Sequence, residues 1–350
     1  MNLMEIRVDY FSQAQNSLKR STAVVLVMLI KKEIAVFVVS VLILGQVAGQ
    51  SQSKKLKPAI EGEWWTITGQ PDLGNVTGSK QQPVDFAVWQ AGDGSWQLWS
   101  CIRGTRIGGK SRLFYRWEGK HLTDSSWTPK GIAMMADTTV GETAGGLQAP
   151  YVFKEKGVYY MFYGDWNRIC IATSSDGKNF KRRLNKKGDP SLFSGPLYNT
   201  RDPMVVKVKD TYYCYYCAHN EEDTHKKEPQ GAVFCRTSKD LKEWSEAKIV
   251  SRGGTALSQT QWYAGDIECP FVVHLGDKYI LFRNQRYGKD YLNTQYVSDN
   301  PFDFGDGDDR NMVGQLPVAA PEIVWADGGY YIFSLRPGLD GIKAARLRFE

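Results

Sequence analysis

The sequence predicts an all-β fold, and more closely a five-bladed β-propeller. A turn followed by a strand of aromatic and aliphatic residues recurs five times along the chain. A proline that marks the start of another strand precedes each copy, and no long stretch has a helical apolar period. The five prolines are Pro83, Pro150, Pro203, Pro270 and Pro321. These observations together predict five similar β units.

Each unit begins with a strand, makes a tight turn and returns as a second strand. The second strands carry the markers Trp96, Tyr159, Tyr212, Tyr279 and Tyr330, which lie 63, 53, 67 and 51 residues apart. Three units add a third strand with a turn, at 171–180, 235–244 and 296–302. Repeats of this length are typical of propeller blades. A sandwich or a barrel is the alternative, but neither explains the repeated order of proline, strand, turn and aromatic strand.

Composition limits the partners of the chain. Of 350 residues, 42% are apolar, 23% are charged and 13% are aromatic. The net charge of +6 is scattered, which is too weak a footprint for nucleic acid. The aromatic content suits a β-rich core and also a carbohydrate-binding cleft, where a flat ring covers the apolar face of a sugar.

The N-terminus has the pattern of an export signal. Lys31 and Lys32 precede the apolar run 34–44, and small residues follow at Gly45, Ala48 and Gly49. This pattern predicts an N-terminal extension and signal peptide over 1–49, with Met28 as the possible true start. The exported protein would be periplasmic or extracellular, without stable membrane insertion after cleavage. An uncleaved N-terminal anchor is the alternative.

The remaining chain divides by pattern into a lead-in segment, 50–79, and a propeller domain, 80–350. Six cysteines lie in the exported part. Cys214 and Cys217 have the spacing of a redox or zinc pair, but positions three apart on a strand point to opposite faces. We therefore expect buried free thiols or a single bridge rather than a metal or redox pair. The four histidines show no ligand spacing, and we expect no cofactor and no required metal.

Acidic residues recur at the proline-marked strand starts. The position ten or eleven residues before each aromatic pair holds Asp85, Gln148, Asp202, Glu268 and Ala320 (or Ala319). Innermost propeller strands line a central channel, so this register predicts three carboxylates at one end of it. Like charges packed together cost free energy and raise at least one pKa. Glycoside hydrolysis needs such a set, because one carboxylate attacks or activates water and a protonated one donates to the leaving oxygen.

These motifs resemble those of the clan of five-bladed β-propeller glycoside hydrolases that contains families 32 and 43. Arg201-Asp202-Pro203 and Glu268-Cys269 are similar to motifs of family 32, and Gln148-Ala149-Pro150 resembles the Trp-Ala-Pro of family 43. The resemblance covers about residues 80–350 and is closest to a single-domain, family 43-like member. The first family 32 motif, Asn-Asp-Pro-Asn-Gly, is replaced here by Val84-Asp85-Phe86-Ala87.

The resemblance implies a role for each acid. Asp85 would be the nucleophile or general base, Asp202 the transition-state stabiliser and Glu268 the general acid. Arg201 would hold substrate hydroxyls or Asp202 itself. Family 32 retains and family 43 inverts the anomeric configuration, so both outcomes stay open.

Further residues near the acids are predicted to bind the sugar. Aromatic side chains could form the sugar platform, and polar ones could hold its hydroxyls. These substrate-binding candidates are Gln148, Trp89, Trp166, Trp262, Tyr263 and Arg283, in addition to Arg201. Trp89 lies four residues past Asp85 and is equally consistent with a place in the blade core.

The function predicted from the sequence is hydrolysis of O-glycosidic bonds in a plant or algal oligo- or polysaccharide, from a chain end. A propeller that binds sugar without cleaving it is one alternative. A glycan phosphorylase on the same fold is another. The phosphorylase would need a basic phosphate pocket, for which Arg201, Arg283 and Arg286 are the available residues.

Overall fold

A computed structural model describes residues 56–219, 231–254 and 267–350. They form 22 β-strands and three short 3-10 turns, Gly74–Val76, Thr138–Val140 and Gly288–Asp290. The strands assemble into five sheets arranged as blades, which confirms the predicted all-β, five-bladed β-propeller. No helix in these ranges has the length and apolarity to cross a bilayer. The predicted signal peptide, Trp262 and Tyr263 lie outside the described residues.

Blades I to III follow one another along the chain, each from its innermost strand outward. Blade I contains β2 (Gln82–Gln90), β3 (Trp96–Arg103), β4 (Leu113–Gly119) and β5 (Thr128–Met134). Blade II contains β6 (Leu147–Glu155), β7 (Val158–Asp165), β8 (Arg168–Ser174), β9 (Lys181–Arg182) and β10 (Ser191–Ser194). Blade III contains β11 (Tyr198–Val208), β12 (Thr211–His219), β13 (Gly231–Ser238) and β14 (Lys248–Arg252).

Blades IV and V complete the circle. Blade IV contains β15 (Glu268–Leu275), β16 (Lys278–Arg286), β17 (Leu292–Ser298) and β19 (Met312–Leu316). Its short strand β18 (Gly305–Asp306) leaves the blade and pairs in parallel with β14 of blade III. Blade V contains β20 (Glu322–Ala326), β21 (Gly329–Leu335), β22 (Ile342–Phe349) and β1 (Pro58–Thr68).

The first described strand closes the propeller. β1 pairs antiparallel with β22, from Pro58 opposite Phe349 to Thr68 opposite Ile342. The segment 58–68 is therefore the outer strand of blade V, although it falls within the segment 50–79 that the sequence suggested as a lead-in. The difference has a physical cause, because the partner of β1 lies at the other end of the chain and local pattern carries no information about it.

The five innermost strands meet around the axis in chain order, and the last one, β20, packs beside the first, β2. Aromatic side chains of the second strands fill the spaces between blades. Tyr163, Tyr215, Phe282 and Phe333 are completely buried there. The repeated aromatic strand that identified the blades is thus a packing feature of the core. The same packing fixes where each innermost strand begins, and the candidate site lies at those beginnings.

Candidate active site

A β-bulge interrupts the innermost strands near their first residues. Pairing with the second strand skips at Asp85, between Gln148 and Tyr151, between Arg201 and Met204, and between Glu268 and Phe271. One residue at each break, and one just before β20, has a left-handed backbone. The φ values are 35° at Asp85, 39° at Ala149, 58° at Asp202, 43° at Cys269 and 45° at Ala320.

The bulge residues correct the register that the sequence suggested. The equivalent residues of the five blades are Asp85, Ala149, Asp202, Cys269 and Ala320. Glu268 and Gln148 precede this ring by one residue and share the position of Arg201. A bulge adds one residue to a strand and redirects its neighbours, which counting residues between strands does not detect. Because two alanines adopt the same φ, the unusual backbone belongs to the fold and does not by itself mark catalytic residues.

The bulge places two carboxylates and a thiol together at the end of the channel. The Cys269 Sγ lies 3.1 Å from Asp85 Oδ1 and 3.6 Å from Asp202 Oδ2. We call this end of the channel, marked by Asp85, Asp202 and Cys269, the mouth. The structure therefore brings Asp85 and Asp202 together as predicted, with a thiol between them that the sequence did not single out.

Asp85 is buried and its pKa is raised to about 6. Burial is the largest cause, and the negative charges of Asp202 and Glu268 add to it. The positive charge of Arg112 and a hydrogen bond from Cys269 act in the opposite direction. Asp85 consequently holds a proton in weakly acidic solution, which is the property that like charges in a catalytic cleft were expected to produce.

The described contacts of the Asp202 carboxylate all involve one of its two oxygens. Its Oδ2 accepts hydrogen bonds of 3.0 Å from the Cys269 backbone N–H and from the Cys217 thiol, and lies 3.6 Å from Arg201 Nε. Its Oδ1 is buried and accepts no hydrogen bond from any residue that the structure describes. A buried carboxylate oxygen without a donor is costly, so this atom is available to a donor that the bound substrate supplies.

Glu268 is paired with Arg201 across the boundary of blades III and IV. The guanidinium donates to Glu268 Oε1 and lies 2.5 Å from His219 Nε2. Burial acts to raise the pKa of Glu268, but the Arg201 and His219 charges, together with hydrogen bonds from Arg201 and Tyr287, outweigh it and hold the pKa at about 2. Burial and the Arg201 charge lower the pKa of His219 to about 3, so the ring is neutral above that pH. In weakly acidic solution, Glu268 is therefore ionised while Asp85 holds a proton.

Sequence reasoning missed two groups that complete this network. The Tyr287 hydroxyl donates to Asp85 Oδ1 at 3.2 Å and lies 3.0 Å from Cys269 Sγ, and it also contacts Glu268. His219 ends β12 beside Arg201. Neither residue lies at a strand start or in a motif. Their place follows from the pairing of β11 with β12 and from the loop after β16, and no local signal in the sequence indicates it.

The predicted substrate-binding residues divide into three groups. Gln148 is fully buried beside Asn199, with 3.2 Å between Gln148 Nε2 and the Asn199 side chain. Trp166 is half-buried in the turn between β7 and β8, and its indole N–H donates to the Tyr198 hydroxyl at 3.2 Å. Arg201 lies at the mouth as described. These three residues remain near the site, whereas Trp262 and Tyr263 belong to a segment outside the described residues.

Trp89 and Arg283 are not available to a substrate, and both predictions are corrected here. Trp89 is buried between blades I and II, where its indole N–H donates to the Gly177 carbonyl at 2.8 Å and its ring packs on Trp99. Arg283 is completely buried and donates to Ser251 Oγ at 2.9 Å. Both side chains point between blades, a direction that strand alternation alone leaves undecided.

A narrow channel runs below the mouth. It holds about 20 Å³ of space for a water-sized sphere, enough for about one water molecule. Its lining includes Phe86, Glu322 and four of the strand-start prolines, namely Pro150, Pro203, Pro270 and Pro321. The Glu322 side chain makes no hydrogen bond or ion pair with any described residue, and burial raises its pKa well above the usual value.

The oxygen and sulfur atoms of the mouth are also the atoms that could hold a cation. One ligand atom each from Asp85, Asp202 and Cys269 lie within 4.8 Å of one another. The Asp85 and Asp202 oxygens nearest the thiol already accept hydrogen bonds from protein donors.

Comparison with known proteins agrees with the propeller fold. The family described as the glycosyl hydrolases family 32 N-terminal domain matches residues 116–316, more than half of the chain. The extracellular exo-alpha-(1->5)-L-arabinofuranosidase ArbA of Cellvibrio japonicus (strain Ueda107) is 24% identical over 228 residues. That match covers 59% of this chain, which spans 59% of the length of the relative.

Solved structures with the same fold come from two glycoside hydrolase families. A thermostable family 43 glycoside hydrolase is 18% identical with a TM-score of 0.58, covering 80% of this chain and 96% of its own. The endo-arabinase of Bacteroides thetaiotaomicron VPI-5482 is 17% identical with a TM-score of 0.55, covering 79% and 98%. The family 32 β-fructofuranosidase of Bombyx mori is 16% identical with a TM-score of 0.54, covering 84% and 63%.

Proposed function

The chain belongs to the family of the glycosyl hydrolase family 32 N-terminal domain, and from that premise we propose that it hydrolyses O-glycosidic bonds of a plant or algal oligo- or polysaccharide. The observation that carries this proposal is the convergence of Asp85, Asp202 and Glu268 on one mouth. Tyr287 contacts two of these acids, and their charges act on one another. Binding alone requires no such set, because packed like charges are costly.

The number of protons held by Asp85 and Glu268 suits glycoside hydrolysis. A glycosidase needs one ionised and one protonated carboxyl group. Asp85 and Glu268 hold one proton between them in weakly acidic solution, and in the free protein it is on Asp85. Sugar hydroxyls draw Arg201 away from Glu268. Burial then favours the neutral form of Glu268, which takes up the proton while Asp85 becomes the ionised nucleophile or base.

The proposed substrate is a furanosidic or pyranosidic plant glycan attacked from its end. Similarity to an extracellular exo-arabinofuranosidase supports attack from an end, and similarity to an endo-arabinase supports a plant glycan as the substrate. The first relative is described as extracellular, which fits the predicted export signal of this chain. End-labelled arabino- and xylo-oligosaccharides separate exo from endo action, since exo attack releases one sugar unit at a time and leaves no internal fragments.

The experiment that tests the function compares wild type with Glu268→Gln on aryl glycosides whose leaving groups differ in acidity. We expect the wild type to cleave at least one of them. The variant should be about 100-fold or more slower on poor leaving groups and much less affected on good ones, because only poor leaving groups need a proton. Equal glycan binding by both proteins with no cleavage by either would identify a carbohydrate-binding protein instead.

Two of the three arginines predicted for the phosphate pocket of the phosphorylase alternative are engaged within the protein. Arg283 is buried between blades, and Arg201 is paired with Glu268. Turnover that is independent of inorganic phosphate is the expected result, and a requirement for phosphate would restore that alternative.

A further inference from the structure

Two cations lie on one tryptophan at the edge of the mouth. The Trp166 ring has Lys110 Nζ 4.2 Å from its centroid and the Arg112 guanidinium carbon 5.4 Å from it. Lys110 and Arg112 belong to the connection between β3 and β4 of blade I, whereas Trp166 belongs to blade II. The Arg112 backbone bridges to that blade by a 2.9 Å hydrogen bond from its N–H to the Gly145 carbonyl. The cations and the ring thus form one rim across two blades.

Contacts connect this rim to the catalytic acids on both sides. On one side, Arg112 is near enough to Asp85 to lower its pKa. On the other side, Trp166 donates to the Tyr198 hydroxyl at 3.2 Å, and the neighbouring Asn199 carbonyl accepts from Arg201 at 3.0 Å. The rim therefore forms the blade II wall of the mouth.

Neither cation is ion-paired with a residue that the structure describes. In those ranges, the Lys110 and Arg112 side chains make no hydrogen bond and no ion pair with a carboxylate. Arg103, at the end of β3, differs, since it donates twice to Gln82 Oε1, at 3.0 and 2.7 Å. Arg112 is half-buried, where an unpaired charge is more costly than at an exposed site.

The Trp166 ring accounts for the position of the cations but not for their charge. A cation over an indole face gains about 0.5–1 kcal/mol at exposed sites. That interaction leaves the five N–H donors of a guanidinium free, and these match the two oxygens of a carboxylate or a sulfate. The donors of a half-buried arginine beside a sugar-binding cleft are thus available to an anionic substituent of the ligand.

We propose that Arg112 and Lys110, supported by Trp166, form a subsite for an anionic sugar, one that carries a carboxylate or a sulfate ester. This inference rests on the proposed function and adds a substrate class to it. The anionic unit lies next to the residue whose glycosidic bond faces Asp85 and Glu268. Trp166, predicted from the sequence as a sugar platform, here positions the two cations and packs against the edge of the same unit.

The alternative is that Arg112 acts only on Asp85, as a fixed charge that keeps this carboxyl group ionised. The two explanations differ in one respect. A fixed charge changes the rate on neutral and anionic substrates alike, whereas an anion subsite changes the ratio between them. The test must therefore use pairs of ligands that differ in charge and in nothing else.

The experiment measures binding by titration calorimetry to Glu268→Gln, which retains Arg112, Lys110 and Trp166. The carboxylate arm uses glucuronoxylan and galacturonan oligosaccharides with their carboxyl-reduced counterparts. The sulfate arm uses carrageenan oligosaccharides with their desulfated counterparts. Arg112→Gln and Lys110→Gln are added singly to the same protein. Lys343→Gln is the matched control, because Lys343 lies 4.0 Å over the Trp64 ring in blade V, away from the mouth.

We expect at least one anionic ligand to bind about tenfold to 100-fold more tightly than its neutral counterpart, the usual effect of charge-assisted hydrogen bonds. Arg112→Gln should abolish this ratio, Lys110→Gln should reduce it and Lys343→Gln should leave it unchanged. The arm that responds identifies the anion. Equal binding of charged and neutral partners, no binding of any anionic ligand, or a ratio that survives Arg112→Gln would overturn the proposal.

The proposed function is tested separately by cleavage of neutral aryl glycosides with the wild type. Cleavage without a charge preference in binding would leave the glycosidase standing and remove the anion subsite. A charge preference in binding without cleavage of any tested glycoside or oligosaccharide would support the anion subsite and contradict the proposed glycosidase activity.

Discussion

The Arg201 guanidinium is ion-paired with the Glu268 carboxylate, and the two residues hold the same position in neighbouring blades. Each immediately precedes a bulge residue, Asp202 or Cys269. The repeat of the fold thus places a cation beside the acid that must become protonated. The pair keeps Glu268 ionised in the free protein. The proposed mechanism requires Arg201 to separate from Glu268 when sugar hydroxyls bind.

Replacing Arg201 with a neutral residue should raise the pKa of Glu268. With Arg201→Gln, the pKa of Glu268 should rise above about 2, because burial favours the neutral acid and only His219 and the Tyr287 hydroxyl are left to oppose it. Carbon-13 NMR of protein labelled at the glutamate carboxyl carbons, assigned with Glu268→Gln, measures this change. Arg201→Lys is the control, since it keeps the positive charge and should hold the pKa below that of Arg201→Gln. A titration that stays near 2 in Arg201→Gln would contradict the assignment.

Asp85 should reduce stability at neutral pH. Its pKa is 3.8 when unperturbed and about 6 in the folded protein. The folded state binds this proton more tightly, so the fold loses stability as pH rises through 6, by about 3 kcal/mol. Asp85→Asn avoids this loss. Urea unfolding should show the variant more stable than wild type above pH 6, with a gain that shrinks as pH falls towards 3.8. A gain independent of pH would show that charge is not its cause.

The same proton should control activity. In our mechanism Asp85 and Glu268 must hold one proton between them, which passes to Glu268 when substrate binds, so kcat/KM on a neutral aryl glycoside should fall as pH rises above about 6 and this proton is lost. Arg112 lowers this pKa, and Arg112→Gln should therefore move the fall to higher pH. Lys343→Gln serves as the control and should not move it. An unchanged profile in Arg112→Gln would place its guanidinium too far from Asp85 to act on it.

Glu322 should make the propeller less stable as pH rises. Burial raises its pKa well above 4.5, so the folded state holds this proton more tightly than the unfolded chain, and stability is lost as pH rises from 4.5 through the folded pKa. Glu322→Gln should reduce the decrease in melting temperature over this rise in pH. Glu243→Gln, at an exposed position of blade III, should leave the decrease as it is. If both variants behave like wild type, Glu322 is solvated in the channel.

β1 should be essential for cooperative folding. Its removal leaves the edge of β22 unpaired and opens blade V, which favours aggregation through the free edge. A chain that starts at Leu56 should unfold in one cooperative transition by circular dichroism. A chain that starts at Gln70 should be largely insoluble or unfold without a sharp transition. Equal stability of the two chains would mean that blade V closes without this strand.

Local pattern predicted much of the fold. The markers at Trp96, Tyr159, Tyr212, Tyr279 and Tyr330 each mark the second strand of a blade, and the prolines mark where the innermost strands begin. The sequence alone reveals these features because turn chemistry and the strand propensity of aromatic residues act over a few neighbouring residues. The same strand starts led to Asp85, Asp202 and Glu268, and the structure brings the three together at one mouth.

Local pattern did not predict the register of that mouth. The bulge moved Cys269 into the ring and put Glu268 beside Arg201, because one inserted residue reverses the faces of those that follow. Trp89 and Arg283 were predicted to bind substrate, with the blade core as an equal alternative for Trp89. In the structure, both side chains lie between two blades. Tyr287 and His219 reach the acids from a loop and from the end of a strand. Each of these outcomes depends on which blades are neighbours.

The sequence by itself determined five β units, their strand starts and the three acids, since each is written in residues close together in the chain. The tertiary structure decided which strand closes blade V, which atoms surround each acid and where the proton resides. The physical reason is that burial and charge act through space. Arg201 and Glu268 are 67 positions apart and pair only because blades III and IV are neighbours, and Arg112, 27 positions from Asp85, lowers the pKa of that carboxyl group through space.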